Sequence, residues 1–278
     1  MRNWSRLEGM IAFCVAIALV GCQAPSGRSG TTLVTPGERI LEALQKGRVV
    51  DSGGPVPLKP RTQLVAITSV RCIEISINGI KLAVPENLER MSVGRGEGGS
   101  PFLLSGNGFV LDFSFGGGNR YEDFFKLPDM ETETQILVDA GLEPKNAREM
   151  LVEARSWLIK LPAEVLLKKI LSVDEGSLKQ VSTFKQGVLP LLLLSNRIVN
   201  GRPLGPATFW RDGKNTIYMW EIRPTAGGKP MRFFRLFAFD DWGISLWECV
   251  AGVSEAAYGK ADPSDFVAGL LCSSKRAE

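Results

Sequence analysis

Histidine is absent from all 278 residues, and that absence removes whole classes of chemistry. A Ser-His-Asp triad, a Cys-His dyad, histidine-ligated zinc and an imidazole pH switch all need a ring nitrogen that titrates near neutrality or binds a metal. A surplus of one charge is also missing. Thirty-three Lys and Arg against thirty Asp and Glu leave +3, well short of the basic footprint that grips a phosphate backbone, so no nucleic-acid partner is expected. Long apolar runs are lacking as well: residues 10–20 form an eleven-residue run, against the roughly twenty needed to span a bilayer. What is present is ordinary for a folded protein. Hydrophobic residues are 44% and charged residues 23%, near the globular average, and a chain of this length buries roughly three quarters of its unfolded surface.

The apolar run has a context. Arg2 and Arg6 precede it and a loop-like Gln23-Ala-Pro-Ser-Gly-Arg-Ser-Gly30 follows, the layout of an export signal with a basic start and a short apolar centre. At Leu19-Val20-Gly21-Cys22 the segment resembles the lipobox of bacterial lipoprotein precursors: a large aliphatic residue, a tolerant position, a small residue and a cysteine. The resemblance covers only the N-terminus, and it implies cleavage before Cys22, a diacylglyceryl thioether on its sulfur and, in many bacteria, acylation of the new amino group. Two or three acyl chains hold a protein on a bilayer where one does so only marginally. Gln23 is not the aspartate that, in the enteric lipoproteins, favours the inner membrane. The resemblance therefore implies an outer-membrane protein facing the periplasm in a cell with two membranes. Removal of Arg2, Arg6 and Glu8 with the signal lowers the net charge from +3 to +2.

Beyond the signal (residues 1–21), the composition divides the chain into a tether and loop region (22–61), a folded region (62–273) and a short tail (274–278). Residues 23–35 are rich in Gly, Ser, Thr and Pro, the makings of a flexible tether, and residues 38–46 suit one short helix. Strands are expected at 64–70, 72–77 and 108–115. Asn78-Gly79 between the alternating Ile73, Ile75, Ile77 and Ile80, Leu82, Val84 signals a two-residue hairpin. Helical periodicity then takes over at 131–140, 144–160, 162–173 and from 175 onward, with Pro144 and Pro162 in first-turn positions. The run Val188-Leu-Pro-Leu-Leu-Leu-Leu194 reads as a core helix. Strands return at 216–223, 231–240 and 243–250, joined by hairpin-length loops, and Asp262-Pro263 opens a closing helix. Strand, helix and strand blocks without regular alternation predict an α+β fold, a mainly antiparallel sheet with a central block of helices packed on one face. A turn centred on Asp241 and Trp242 predicts Arg235 opposite Glu248, with Glu221 on its other side. It also predicts Met219, Phe233, Phe237 and Leu246 on one sheet face and Trp220, Phe234, Leu236 and Trp247 on the other.

Few motifs suggest catalysis. Gly94-Arg-Gly96-Glu-Gly98-Gly99 has the glycine spacing of a dinucleotide loop but is followed by Ser100-Pro101 rather than an apolar helix. Ser182-Thr-Phe-Lys185 matches S-x-x-K, in which one helical turn brings an amine to a hydroxyl, yet the companion elements of that enzyme class are missing. The acidic groups Glu122-Asp123, Glu131 with Glu133, and Asp240-Asp241 lack the surroundings of a glycosidase pair or a calcium loop, and read as solvated or turn charge. No metal site and no cofactor is expected.

Cys14 leaves with the signal, so Cys72, Cys249 and Cys272 remain beyond Cys22. Three thiols allow one disulfide, with Cys249 and Cys272 close enough in sequence to pair, or they are three buried apolar side chains. The aromatics concentrate at the end: Phe233, Phe237 and Trp242, with Arg235 among them, have the residue types of an interface as well as of a core. The sequence thus points to a bilayer-anchored, non-enzymatic envelope lipoprotein with an envelope protein as partner. An envelope hydrolase or transferase using Ser, Lys or carboxylates, and an anchored immunity or inhibitor protein, are the alternatives.

Overall fold

The computed structural model describes residues 34–47, 53–64, 71–77, 80–86, 88–91, 102–106, 108–115, 130–199, 201–223, 231–243 and 245–272. The expected signal, Cys22, residues 65–70 of the strand expected at 64–70, the Asn78-Gly79 turn, the glycine motif at 94–99 and Glu122-Asp123 lie outside them.

The fold begins earlier in the chain than its composition suggests. Helix α1 (Pro36–Lys46) is opened by a capping box: the Thr35 hydroxyl accepts from the Glu38 amide at 3.2 Å, and the Glu38 carboxylate accepts from the Thr35 amide at 2.9 Å. Two of the helix's orphan amide donors are thereby satisfied. It buries Ile40, Leu41 and Leu44. The Gly37 amide donates to the Val181 carbonyl at 3.2 Å, and a Cβ on Gly37 would lie 1.9 Å from the Leu178 carbonyl oxygen, so this close approach requires glycine. Strand β1 (Leu58–Pro60) follows and pairs in parallel with β7 (Ala207–Asp212). The compact unit therefore starts at Val34 and not near residue 62. Residues 34–61 lack long apolar runs, but Ile40, Leu41 and Leu44 are buried in a core they share with residues from Ile136 onward. Gly37→Ala is expected to cost about 1–3 kcal/mol through overpacking, read as a lower urea midpoint. An unchanged midpoint would mean that the helix is not seated there.

The remaining strands are β2 (Cys72–Ile77), β3 (Ile80–Pro85), β4 (Glu89–Met91), β5 (Phe102–Gly106), β6 (Phe109–Phe115), β8 (Asn215–Ile222), β9 (Met231–Phe239) and β10 (Ser245–Ser254). Strands β2 and β3 form the expected hairpin, with Ile77 opposite Ile80. The others build one eight-stranded sheet in the order β1-β7-β8-β9-β10-β6-β5-β4, antiparallel except at β1. The last strand in sequence thus lies between β9 and β6.

The helices are α2 (Glu131–Asp139), α3 (Pro144–Leu158), α4 (Ala163–Ser172), α5 (Glu175–Lys179), α6 (Phe184–Val199), the short α7 (Glu255–Tyr258) and α8 (Pro263–Cys272). With α1, helices α2 to α6 enclose a core that includes Leu137, Leu151, Leu158, Leu178, Leu191 and Leu194. The expected core helix around Pro190 is α6. This block meets the sheet through Ala163, Leu167 and Leu171 of α4, which pack on Tyr218, Trp220, Phe237 and Phe239. The opposite face holds Met219, Phe234, Leu236, Trp247 and Cys249 under α8, with Phe266 stacked on Phe109 at 5.8 Å. Arg61 straps that helix down: its guanidinium donates to the Asp265 carboxylate and, at 2.9 Å, to the Ser264 hydroxyl. The α+β class and the helical block on one face are as expected; the second face is covered by the closing helix.

Two register expectations fail in instructive ways. Trp220, not Glu221, lies opposite Arg235, and this one-residue difference moves β8 side chains to the other face. Met219 therefore joins Phe234 and Leu236, while Trp220 joins Phe237. In the next hairpin an irregularity between Ser245 and Trp247 puts Glu248 opposite Phe237 and Val250 opposite Arg235. That slip is two residues, so Arg235 and Glu248 stay on one face and meet diagonally.

Candidate functional site

Alternation along β9 projects Phe233, Arg235 and Phe237 from the same face of the sheet. Phe237 belongs to the interior: it is 1% exposed, stacked at 5.1 Å on Trp220 and at 6.4 Å on Phe239. The expectation that it forms an interface is corrected by the cover that α4 gives it. Arg235 lies at the margin of that cover, its guanidinium 6.0 Å from the Phe237 ring centroid and its Nη1 3.0 Å from a Glu248 carboxylate oxygen. The two charged side chains are 16% and 30% exposed, shielded enough to fix their geometry.

Beyond α4 the face continues across β10 and β6. Val250 lies between Arg235 and Asp112, and Gly252 between Phe233 and Val110. A Cβ on Gly252 would come within 2.8 Å of the Phe233 ring, so the missing side chain lets that ring lie across β10. Phe233, Val250, Val110 and Asp112 are all half-buried. The result is a shallow platform with apolar floor, a guanidinium held over an aromatic ring and carboxylates beside it. Such a surface binds by area and directed hydrogen bonds, and Arg with aromatic neighbours is the usual anchor of such contacts.

Trp242 is not part of this platform. It is 84% exposed at the tip of the β9–β10 hairpin, where its amide donates to the Asp240 carboxylate at 2.9 Å. Arg211 donates to Asp241 at 2.6 Å. Asp240-Asp241 is turn chemistry, as expected. The turn abuts the start of α4, with the Ala163 amide donating to the Gly243 carbonyl at 3.1 Å.

The disulfide between Cys249 and Cys272 is not made: Cys249 is a free, buried thiol. It points from a central strand into the core beneath α8. Burial first, and then the charges of Asp112 and Glu248, raise its pKa well above the ordinary value, which keeps it protonated and unreactive.

The S-x-x-K pair is not assembled either. The Ser182 hydroxyl donates to the Gln186 side chain at 2.9 Å, while the exposed Lys185 ammonium is 3.0 Å from Glu153. Glu133 departs from the expected solvated charge: it is 2% exposed, and its charge raises the pKa of Arg155 on α3 against the larger lowering by burial. Among the described residues no group of three or more acidic or cysteine side chains converges as a metal site would require.

One buried polar contact has a pH signature. The Tyr218 hydroxyl donates to Glu164 at 2.8 Å, and Glu164 also accepts from Lys168 at 2.7 Å. Burial, followed by the bond to Glu164, pushes the Tyr218 phenol well above its ordinary 10.0. Above pH 10.0 the unfolded chain releases this proton while the folded one retains it, so stability falls as pH rises. Tyr218→Phe is expected to flatten the alkaline limb of a stability-versus-pH curve, and an unaltered limb would show that another group sets it.

Of the residues singled out in the sequence, the structure brings Phe233 and Arg235 together, places Phe237 beneath them and sets Trp242 apart. Asp112, Val110, Val250 and Gly252 complete the platform. The alternation of β6 and β10 marks their faces, and a glycine opposite an aromatic within a strand was the available signal. Comparison with protein families, curated proteins and solved structures gives no match.

Proposed function

We propose that this chain is a lipid-anchored lipoprotein of the bacterial cell envelope whose folded domain binds an envelope protein, without turnover. The observation that carries this reading is Leu19-Val20-Gly21-Cys22 at the end of an eleven-residue apolar run. The compact unit starting at Val34 supports it. Cleavage before Cys22 leaves every described core residue in place. Gln23 favours the outer membrane, facing the periplasm, where a cell has two membranes.

The platform of Phe233, Arg235, Glu248 and Val250 is the surface to which we assign the partner. Its guanidinium is already oriented by Glu248 and Phe237, so binding orders few additional side chains. The Ser182 and Lys185 contacts offer a hydrolase no paired nucleophile and base.

In-cell cross-linking of the tagged, lipid-bearing protein, with mass spectrometry of the N-terminal peptide and of copurifying proteins, tests both parts. The expected result is an acylated Cys22 and a defined partner that is lost with Cys22→Ser and with Arg235→Glu. An unmodified Cys22 defeats the anchor. A partner retained undiminished by Arg235→Glu defeats the platform.

A further inference from the structure

The charged side chains of the platform are not all neutralised. Register places them on one face: Val250 lies opposite both Arg235 and Asp112, and Gly252 opposite both Phe233 and Val110, so these residues project to the same side of the pleat. The row continues to Leu103 of β5, opposite Asp112. Arg235 is engaged by Glu248 at 3.0 Å, just as Arg232 engages Glu221. Asp112 differs from these strand carboxylates. It is half-buried, its Oδ1 is cut off from solvent without a hydrogen-bond donor, and among the described residues no basic side chain pairs with it. Two strand spacings, about 10 Å, separate it from Arg235, with Val250 between them. A carboxylate that loses part of its water and gains no partner is a cost to the folded chain.

We infer that the platform takes its protein partner through a basic side chain, lysine or arginine, whose cation meets Asp112 while its stem lies on Val110 and Val250. The inference rests on the proposed binding role of the platform and names the chemistry of what binds there. Charge complementarity carries it. Arg235 and Glu248 offset each other, which leaves Asp112 as the net charge of this set, and an opposite charge offsets the cost of its burial. A basic side chain suits the floor as well, because its methylene stem covers apolar surface while its head stays polar. An acidic partner surface would meet a like charge at the same place.

The test keeps the lipid-bearing, full-length protein in cells and places photo-reactive p-benzoylphenylalanine in place of Leu103 or, separately, Val110. Each is combined with Asp112→Asn, Asp112→Glu or Arg235→Ala. The captured peptide is sequenced by mass spectrometry after cleavage at acidic residues, so that the protease does not select for lysine and arginine. The expected result is a partner peptide that contains a basic residue, captured roughly tenfold less with Asp112→Asn, largely restored with Asp112→Glu and lost with Arg235→Ala. The urea midpoint of Asp112→Asn should be unchanged or higher, since the substitution removes an unpaired charge and keeps the shape. Capture that survives Asp112→Asn but not Arg235→Ala overturns the inference and leaves the platform standing. Capture that is absent, or indifferent to both, defeats the platform and the inference with it. A peptide without a basic residue, a link between two copies of this chain, or a midpoint lowered enough to account for the lost capture also overturns the inference.

Discussion

Arg197→Met is expected to lower the unfolding free energy by about 3–5 kcal/mol, the cost of breaking a buried, charge-assisted set of hydrogen bonds. The Arg197 residue is 2% exposed. Its Nη1 donates to the Gly54 carbonyl at 3.3 Å and to the Val173 carbonyl, and its Nη2 donates to the Gly53 carbonyl at 3.3 Å. These acceptors lie just before β1 and at the C-cap of α4, so one side chain joins α6 to the N-terminal segment and to the helix that packs on the sheet. Burial and then the neighbouring Arg202 lower its pKa, against the pull of Asp174 and Glu175, but a guanidinium stays charged. Methionine fills similar volume and leaves three carbonyls without their donor. Arg197→Lys should recover part of the loss, because a single ammonium cannot reproduce the planar fork. Urea unfolding followed by tryptophan emission reads both, and a loss below about 1 kcal/mol for methionine would show that water replaces the guanidinium at little cost.

Phe237→Ala is the second large effect, about 3–5 kcal/mol for truncating a wholly buried ring. The ring holds Trp220 and Phe239 in register on one side of the sheet and forms the surface over which Arg235 lies. The loss should therefore appear in stability first, with partner binding falling only as the platform loosens. Arg235→Ala is the informative contrast, changing stability by about 1 kcal/mol or less because the ion pair is partly exposed, while removing the feature assigned to recognition. Equal unfolding midpoints for Phe237→Ala and the unmodified protein would place that ring outside the core.

How far the fold could be read from the sequence depended on the range of the interactions that set it. Asn78-Gly79 and the flanking isoleucines mark the β2–β3 hairpin because turn chemistry is local. Helices α2 to α4 and α6 announce themselves through periodicity and first-turn prolines. Helix α1 was legible as a short helix but not as part of the core, since its cover comes from α2, α5 and α6, far along the chain. Strands β1, β4 and β5 are short, and β7 is not among the expected strands although Asp212-Gly213 marks its hairpin with β8. The faces of β8 could not be fixed because the loop after Arg223 does not specify register, and one residue decides every side chain's direction. At the candidate site, Phe233 and Arg235 were found from composition and alternation. Arg197 was not, since an arginine near the end of a helix reads as solvated charge, and the carbonyls that hold it lie in loops with no sequence mark.

The placement of β10 has a consequence for how the molecule comes into being. Strands β4 to β6 and β7 to β9 form two separate ladders, and only the segment Ser245–Ser254 joins them. Until that segment arrives, β6 and β9 each present an unpaired edge, open to pairing with the wrong chain. Closure also requires contacts between β10 and β6 across more than a hundred intervening residues, the kind of long-range pairing that makes folding slow. Because this segment follows the other described strands in the chain, the sheet stays in two open parts until the segment emerges, and its closure is among the last steps of folding.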